Sequence, residues 1–398
     1  MKQRPILVIG DLHLGPANPA GTEAAAVSLL ERHSGCEWVC LGDLFDLSAD
    51  ISQLSAEQAI ITQLERFAPL TRALRRQLAA NSAVTLVVGN HDAELGSAGA
   101  RQHILAYLDL PSSAALSIEP WWIRRANLHL EHGHVWDPDN APIHPLTATR
   151  HDNEPLGVAL TRQVLAPTGA FQFSHAHQTT PLEGLIRALN ELGWHAPEVI
   201  LRYFVTGARI FWRAASGVHD ATWRAGERAI DNYAREQGLL PAVIEQLTRS
   251  RPTPRHASAA ATFARLYFDR ALATVVGVAS TAAAAVERSP NYLIVAAAGL
   301  LYLGFSRGDR ARRYSASLVE RVESAALGIR PIVEAKAVVF GHTHVVQARP
   351  GYVNTGAFGF PTGDGRPYLF VDEQQQLFRG WFGQTNTLEP LDQVVAMG

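Results

Sequence analysis

Short apolar runs alternate with longer amphipathic stretches over the first third of the chain. Three runs, Ile6–Gly10, Trp38–Leu41 and Val84–Val88, have the length and the abrupt polar ends that predict buried β-strands. Between them, Ala24–Arg32 and Ser55–Ala79 place apolar residues at helical spacing. Strands that alternate with helices in this way predict an α/β layer protein.

The pattern changes after His134, where the chain becomes rich in Ala, Arg, Leu and Glu. Helical spacing predicts helices over Pro181–Leu192, Ala221–Gln237, Pro241–Arg249 and Ala260–Val286. Strand patterns resume at Ala337–Phe340, Gly351–Asn354, Tyr368–Val371 and Leu377–Phe382. We therefore expect one α/β domain built from residues 1–142 and 332–398, with a helical insertion, a cap, over residues 143–331.

Two uncharged stretches occur within this insertion, Ala271–Val286 and Asn291–Ser306, and four arginines follow within residues 307–313. Each stretch is shorter than the roughly 18–20 residues that span a bilayer. Two interpretations remain open. The stretches form a buried helical hairpin in the cap or at a subunit contact, or residues 271–313 form an apolar, arginine-flanked surface that makes peripheral contact with lipid or holds an acyl chain.

Composition narrows the class of partner. The net charge of the 398 residues is −2, which argues against nucleic acid. The two cysteines, Cys36 and Cys40, do not form a CxxC pair and are expected to be buried thiols in a reducing compartment. The apolar run near the N-terminus is too short for a signal peptide. These features predict a cytoplasmic protein, with membrane association as the alternative.

Residues that can bind metal follow five of the predicted strands, including a further run at Leu128–Leu130. They are Asp11-Leu-His13, Gly42-Asp43, Gly89-Asn90-His91-Asp92, His132-Gly133-His134 and Gly341-His342-Thr343-His344. The loops that follow the strand ends at one edge of an α/β sheet converge, so residues on these loops are expected to lie close together. Carboxylates, imidazoles and an amide oxygen suit divalent ions of borderline hardness. Five such groups in order predict a dinuclear metal site, in which Asp43 is the candidate for a bridging carboxylate.

This ordered set (DxH, GDxxD, GNHD, HGH, GHTH) resembles the calcineurin-like metallophosphoesterase superfamily over roughly residues 4–135 and 337–380. The resemblance implies a four-layer α/β/β/α sandwich and a phosphoester hydrolase that uses a metal-bridging hydroxide. It implies two divalent ions, with Mn²⁺, Fe²⁺/Fe³⁺ or Zn²⁺ all suitable. One ion is then held by Asp11, His13 and His344, and the other by Asn90, His132 and His342.

The resemblance gives His91 a different role, because the histidine at that position faces the leaving group and is not a ligand. Asp46 lies where relatives place its carboxylate partner, so the pair is expected to act as the general acid. His134 and Asp137 are expected to face substrate or to support the ligands. Asp92 is expected to cap the helix that follows it. The pair His175 and His177 copies the ligand spacing but is assigned to the cap.

The substrate is expected to be a phosphomonoester or phosphodiester, either a phosphorylated small molecule or a lipid-linked molecule. The insertion also resembles that of the UDP-diacylglucosamine hydrolases, which makes a pyrophosphatase of that type the alternative. Those enzymes carry arginine where this chain has His91, and their insertion is shorter. A nuclease is less favoured because no basic patch is present. A scaffold without catalysis is disfavoured because every ligand position is intact.

Overall fold

The short apolar runs form two β-sheets. The computed structural model describes residues 4–16, 18–49, 54–147, 153–169, 190–191, 193–217, 219–308 and 318–391. The strands are β1 Ile6–Ile9, β2 Glu37–Leu41, β3 Val84–Val87, β4 Leu116–Glu119, β5 Trp122–Arg125, β6 Leu128–Glu131, β7 Ala337–Phe340, β8 Val346–Arg349, β9 Tyr352–Thr355, β10 Arg366–Val371, β11 Leu377–Phe382 and β12 Leu388–Pro390. The predicted strands are confirmed. Four that were not predicted, β4, β5, β8 and β12, are short.

Strand direction brings the polar loops together. The first sheet has the order β12-β11-β10-β1-β2-β3-β4, and the second has β5-β6-β7-β9-β8. Strands β1, β2 and β3 run parallel, with Ile6 opposite Glu37 and Trp38 opposite Val84. Strands β6 and β7 are also parallel, with Leu128 opposite Ala337. Parallel neighbours end at the same edge, so the loops after β1, β2 and β3 meet at one edge of the first sheet, and those after β6 and β7 at one edge of the second. The two edges lie side by side, as the contact of His132 with Asn90 shows, and form one shared edge.

The helices are α1 Thr22–Arg32, α2 Ala56–Arg66, α3 Ala68–Ala79, α4 Ala100–Tyr107, α5 Leu156–Leu160, α6 Ala166–Thr168, α7 Ala196–Ala215, α8 His219–Glu236, α9 Pro241–Ser250, α10 Ala259–Arg265, α11 Phe268–Glu287, α12 Pro290–Gly308 and α13 Leu318–Val333. A π-helical segment, Thr161–Leu165, joins α5 to α6.

Two long predicted helices are each divided. The stretch predicted over 55–79 breaks at Phe67, and Pro69 lies in the first turn of α3, where proline is tolerated. The stretch predicted over 260–286 breaks at Tyr267, whose φ of 59° is left-handed. The predicted helices over 221–237 and 241–249 are present as α8 and α9. Most of the predicted helix over 181–192 lies outside the described residues.

Apolar side chains fill the space between the two sheets, and further apolar clusters cover the outer face of each sheet. Between the sheets, residues such as Val8, Val39 and Val339 are buried together. A second cluster packs the first four helices on the first sheet. A third joins the outer face of the second sheet, through Phe340 and Tyr352, to side chains of α8, α9 and α13. The molecule is thus an α/β/β/α sandwich with a helical insertion, as predicted. Helix α13 crosses the predicted boundary at 331/332, and the domain limits remain predictions.

The two uncharged stretches form the paired helices α11 and α12. Of the two open interpretations, burial within the cap disagrees with the structure, because Val275, Leu300, Leu301 and Phe305 are 65%, 70%, 74% and 77% exposed. Burial at a subunit contact and contact with lipid both stay predictions. The helix around the first stretch is also longer than the uncharged run. By length and composition alone, α11 is the one helix in the described ranges that is long and apolar enough to cross a membrane, while residues 290–306 are a shorter apolar helix.

Candidate metal centre

The loops at the shared sheet edge hold unusual backbone conformations. Asp11, His13, Asp43, His342 and His344 all have positive φ, between 47° and 64°. Residues other than glycine seldom adopt this region, and such strain clusters where the surroundings must present a side chain in one direction. Five of the seven predicted metal ligands are therefore held in conformations that have an energetic cost.

Three predicted ligands converge on one point. His13 Nε2 lies 3.0 Å from His344 Nε2, and Asp11 Oδ1 lies 3.8 Å from the first nitrogen and 3.2 Å from the second. Metal–ligand bonds of about 2.1 Å separate neighbouring ligand atoms by roughly 3–3.5 Å. The spacing therefore fits one divalent ion.

A second group lies beside the first. His132 Nε2 is 3.1 Å from Asn90 Oδ1 and 3.2 Å from Asp43 Oδ2. The other ring nitrogen, Nδ1, pairs with the Leu41 carbonyl at 2.9 Å, which orients the ring so that Nε2 faces the group. His342 completes this side, with its ring centroid 5.2 Å from that of His132.

Asp43 stands between the two groups. Its Oδ2 is 3.5 Å from His13 Nε2 and 3.2 Å from His132 Nε2, and its side chain is buried. Burial alone raises the pKa of this carboxyl, but the surrounding histidines, His132 first, hold it well below its ordinary value. A buried carboxylate that faces both groups is placed as a bridging ligand requires.

His91 belongs to a different set of contacts. Its Nδ1 lies 2.9 Å from Asp46 Oδ1 and 2.7 Å from Ser48 Oγ, and the hydroxyl of Ser48 donates to Asp46 at 2.8 Å. Burial lowers the pKa of His91, but the carboxylates of Asp46 and Asp43 outweigh it and raise the pKa to about 9. Its side chain is 19% exposed, so the ring is accessible to a bound molecule.

The two predicted substrate residues, His134 and Asp137, are both buried next to the second group. Asp137 Oδ2 lies 3.1 Å from His342 Nε2 and accepts from Asn140 Nδ2 at 2.7 Å. Burial lowers the pKa of His134 well below its ordinary value, and His132 adds to this. Asp137 thus contacts a predicted ligand directly. The insertion histidines His175 and His177 lie outside the described residues.

Asp92 does not cap the helix that follows, contrary to prediction. Its Oδ1 accepts from the Gly89 amide and its Oδ2 from the Leu44 amide, both at 2.7 Å. The side chain therefore ties the loop after β3 to the loop after β2. The spacing between strand ends gave no indication of this contact, because Leu44 is 48 residues away.

Sequence reasoning also missed Ser48 and Arg162. Ser48 follows Asp46 by two residues, a spacing that could have indicated it. Arg162 extends from the insertion and is largely buried. It donates to Glu94 at 2.7 Å and to the Leu47 carbonyl at 3.1 Å. The Leu47 amide in turn donates to the His91 carbonyl at 3.0 Å. The insertion therefore supports the loop that holds the His91–Asp46 pair.

The comparison with known families agrees with this geometry. A model of the family described as calcineurin-like phosphoesterase matches residues 4–209, just over half of the chain. The chain belongs to the calcineurin-like phosphoesterase family. Members are metal-dependent hydrolases of phosphoester bonds, and this chain is such an enzyme. The search of curated proteins finds no match.

The residues present fit the divalent ions that the family implies. Asp11, His13 and His344 form one candidate cluster, and Asp11, Asp43 and His132 form another. Within the described ranges, the ionic partners of Asp11 and Asp43 are histidines, not lysine or arginine. Buried carboxylates of this kind need a cation nearby, and divalent ions would supply it.

Proposed function

We propose that the chain hydrolyses a phosphomonoester or phosphodiester with an alkoxide leaving group, with His91 as the general acid. When bound, two divalent ions supply positive charge to the phosphoryl oxygens and a hydroxide nucleophile at neutral pH. Asp11, His13, Asp43 and His344 would hold one ion. Asp43, Asn90, His132 and His342 would hold the other.

The observation that supports the general acid is the contact of His91 Nδ1 with both Asp46 and Ser48. Because Nδ1 is engaged, Nε2 is the nitrogen available to a substrate. As the bond from phosphorus to the leaving oxygen breaks, the proton on Nε2 passes to that oxygen. Neutral His91 then regains a proton from solvent. Asp46 holds the ring in one orientation and stabilises its protonated form.

This role favours some substrates over others. An alkoxide with a high pKa needs a proton as it leaves, whereas a nucleotide phosphate or a p-nitrophenolate does not. A histidine held by a carboxylate and a hydroxyl therefore supports a sugar, glycerol or other alcohol as the leaving group. This argument ranks a UDP-diacylglucosamine-type pyrophosphatase below a phosphomonoesterase or phosphodiesterase. The substrate proposed is a phosphorylated small molecule or a lipid-linked phosphoester.

The test compares His91→Ala with the wild type on two kinds of leaving group. We expect the variant to keep its metal content and to lose about 10²–10⁴-fold in turnover of alkyl phosphoesters. The loss should be much smaller for p-nitrophenyl esters, since their leaving group needs little protonation. Equal losses on both kinds of ester would contradict the proton-donor role. Ser48→Ala serves as the matched control, because it removes one contact to Nδ1 and leaves Asp46 in place.

A turnover screen with Mn²⁺ present identifies the substrate class. It compares an alkyl monoester, an alkyl diester, a nucleotide-diphosphate sugar, a glycerophospholipid and single-stranded DNA. We expect turnover of one of the alkyl esters or of the phospholipid. Turnover of the nucleotide-diphosphate sugar alone would support the pyrophosphatase instead, and cleavage of DNA alone would support a nuclease.

A further inference from the structure

The hairpin of α11 and α12 is apolar on every side and almost uncovered. Ser280 is the only buried residue of α11. On α12, the consecutive residues Leu293, Ile294 and Val295 are 55%, 69% and 43% exposed. Successive helical residues point about 100° apart, so these three face three directions. A helix that is apolar all round is found in a protein core or in a membrane, and the described residues form no core around this one.

The full length of each helix, including its polar ends, is close to the thickness of a bilayer. Helices α11 and α12 have 20 and 19 residues, which at 1.5 Å per residue gives about 30 Å, the thickness of the hydrocarbon core. Neither uncharged stretch, 271–286 or 291–306, contains Asp, Glu, Lys or Arg. Each uncharged stretch has 16 residues, about 24 Å, and residues 290–306 form the shorter apolar helix. Local thinning of the bilayer, and arginines at the base whose long side chains reach the headgroups, would accommodate the difference.

The two helices contact each other through small residues. A Cβ added at Gly299 would lie 3.1 Å from the Ala273 carbonyl oxygen and 3.6 Å from Gly277 Cα. The backbones therefore approach closely where side chains are absent, and the larger apolar side chains point outwards. This is the packing of helix pairs in lipid, where contact between large apolar side chains gives no advantage over contact with acyl chains.

Charged side chains are confined to the two ends of the hairpin, and the hydroxyls of Thr274 and Thr281 within α11 donate to backbone carbonyls of the same helix. At its base, Arg270 donates to Ser306, and Tyr302 donates to Asp269. The Arg270 guanidinium also lies 4.4 Å from the centre of the Tyr267 ring. At its tip, residues 287–291 read Glu-Arg-Ser-Pro-Asn. Tyrosine and arginine at one end and a short polar turn at the other mark two membrane–water interfaces.

Arginines are unequally distributed between these ends. Arg270 lies at the base. In the sequence, the stretch 291–306 that returns to the base is followed by Arg307, Arg310, Arg312 and Arg313, whereas the tip, residues 287–291, contains only Arg288. Basic residues that flank membrane helices remain on the cytoplasmic side. The base is joined to the rest of the protein, since Phe268 stacks on Phe204 of α7 with ring centroids 5.6 Å apart.

We propose that α11 and α12 cross a lipid bilayer as a hairpin, with the tip on the far side and the phosphoesterase sandwich on the cytoplasmic side. A second copy of this chain is the competing occupant of the exposed surface. A two-fold contact would cover one side of the hairpin, but exposed apolar residues lie on several sides of it. This inference goes beyond peripheral contact with lipid and does not depend on the proposed substrate.

Flotation and extraction of cell membranes test the proposal. The full chain, expressed in bacteria, should float with membranes in a sucrose gradient and should remain there after carbonate extraction at high pH. Aggregated protein does not float in the gradient, so flotation distinguishes it from protein that is bound to membranes. Release by carbonate would overturn the proposal in favour of peripheral contact. A soluble chain that sediments at twice its mass would overturn it in favour of a dimer, and a soluble monomer would overturn it outright.

Paired substitutions assign the effect to the hairpin. Leu300→Asp with Leu301→Asp places two charges near the middle of α12, and we expect most of this variant to move to the soluble fraction. The matched control is Leu240→Asp with Leu388→Asp, since these leucines are 71% and 47% exposed outside the hairpin. The control should float like the wild type. Both variants should keep their bound metal and hydrolyse p-nitrophenyl esters, which shows that they are folded.

A single cysteine tests the direction of the crossing. Ser289→Cys places a thiol at the tip, while the natural Cys36 and Cys40 are buried. A maleimide that cannot cross membranes should label this variant in bacterial cells whose outer membrane has been permeabilised and whose inner membrane is intact. Labelling only after the membrane is dissolved would contradict the proposed orientation.

Discussion

The sheet edge and the hairpin depart from an ordinary soluble protein in opposite ways. At the edge, Asp11 and Asp43 are charged groups that are almost wholly buried. In the hairpin, Leu301 and Phe305 are apolar groups that are about three-quarters exposed. Buried carboxylates and exposed apolar side chains both raise the free energy of an isolated chain. Each region therefore needs a partner outside the chain, and we propose a pair of cations in one case and lipid in the other.

The two regions also differ in how tightly their neighbours constrain them. Around the metal centre, side chains from five loops lie within hydrogen-bonding distance of one another, and many backbone angles are strained. In the hairpin, each helix contacts chiefly its partner, and positive φ angles occur only at the two ends of α11, at Tyr267 (59°) and Arg288 (50°), among the described residues. Substitutions should therefore be costly at the edge and inexpensive in the hairpin when lipid is absent.

The largest effect should come from Asp43→Ala. Because Asp43 Oδ2 faces both ligand groups, we expect loss of both metal ions and of all measurable hydrolysis. Elemental analysis and a p-nitrophenyl ester assay measure the two effects. Leu301→Ala is the matched substitution in the hairpin, and it should change neither. Retention of one full equivalent of metal in Asp43→Ala would show that the carboxylate does not bridge.

A large effect on stability is expected where the insertion meets the sandwich. Arg162 Nε lies 2.6 Å from Glu154, and Nη2 lies 2.7 Å from Glu94. Replacing Arg162 by Met removes the buried guanidinium from two carboxylates and should lower the free energy of unfolding by about 3–5 kcal/mol. Urea denaturation measures the change. Arg162→Lys keeps the charge, so a loss as large as that in Arg162→Met would argue that shape, not charge, matters.

A pair of glycines compares the two regions directly. Gly42 has a φ of 82°, and an added Cβ would lie 2.4 Å from the His132 ring, so Gly42→Ala should lower the free energy of unfolding by about 2–3 kcal/mol. At Gly304 of α12, nothing lies within 4 Å of an added Cβ. Gly304→Ala should leave stability unchanged or raise it by up to about 1 kcal/mol. Similar losses in both variants would remove the contrast between the regions.

The smallest effect concerns a histidine in the core of the insertion. His256 is 2% exposed. Burial lowers its pKa from 6.5 to about 3, and His219 adds to this. The unfolded chain therefore binds a proton near pH 6.5 that the folded chain does not bind. The contribution of the neutral, buried His256 to the free energy of unfolding is therefore complete above pH 6.5 and is lost as the pH falls towards 3.

Between about pH 7.5 and pH 5, this residue should account for a loss of about 2 kcal/mol in the free energy of unfolding. The titratable and charged groups that face it are His219, with ring centroids 5.3 Å apart, and Arg213 and Glu154, which line the same cavity. Urea midpoints of the wild type and His256→Gln measure the difference. An identical pH dependence in the variant would show that His256 is not the group that titrates.

Much of the fold could be predicted because its strands are short, apolar and sharply ended. The five ligand loops were found for the same reason, since each follows such a strand. Contacts between distant loops could not be predicted, and the role of Asp92 as an acceptor for the Gly89 and Leu44 amides is an example. Whether the hairpin of the insertion is buried or exposed could not be decided either, because an uncharged run has the same composition in a core and on a surface.

The metal content of the wild-type protein tests the central claim most directly. Each chain should hold close to two divalent ions by elemental analysis after gel filtration without added metal. Chelation should remove the ions and the hydrolysis of p-nitrophenyl esters, and adding Mn²⁺ back should restore hydrolysis. A folded protein that holds no metal, and that Mn²⁺ does not activate, would contradict the account.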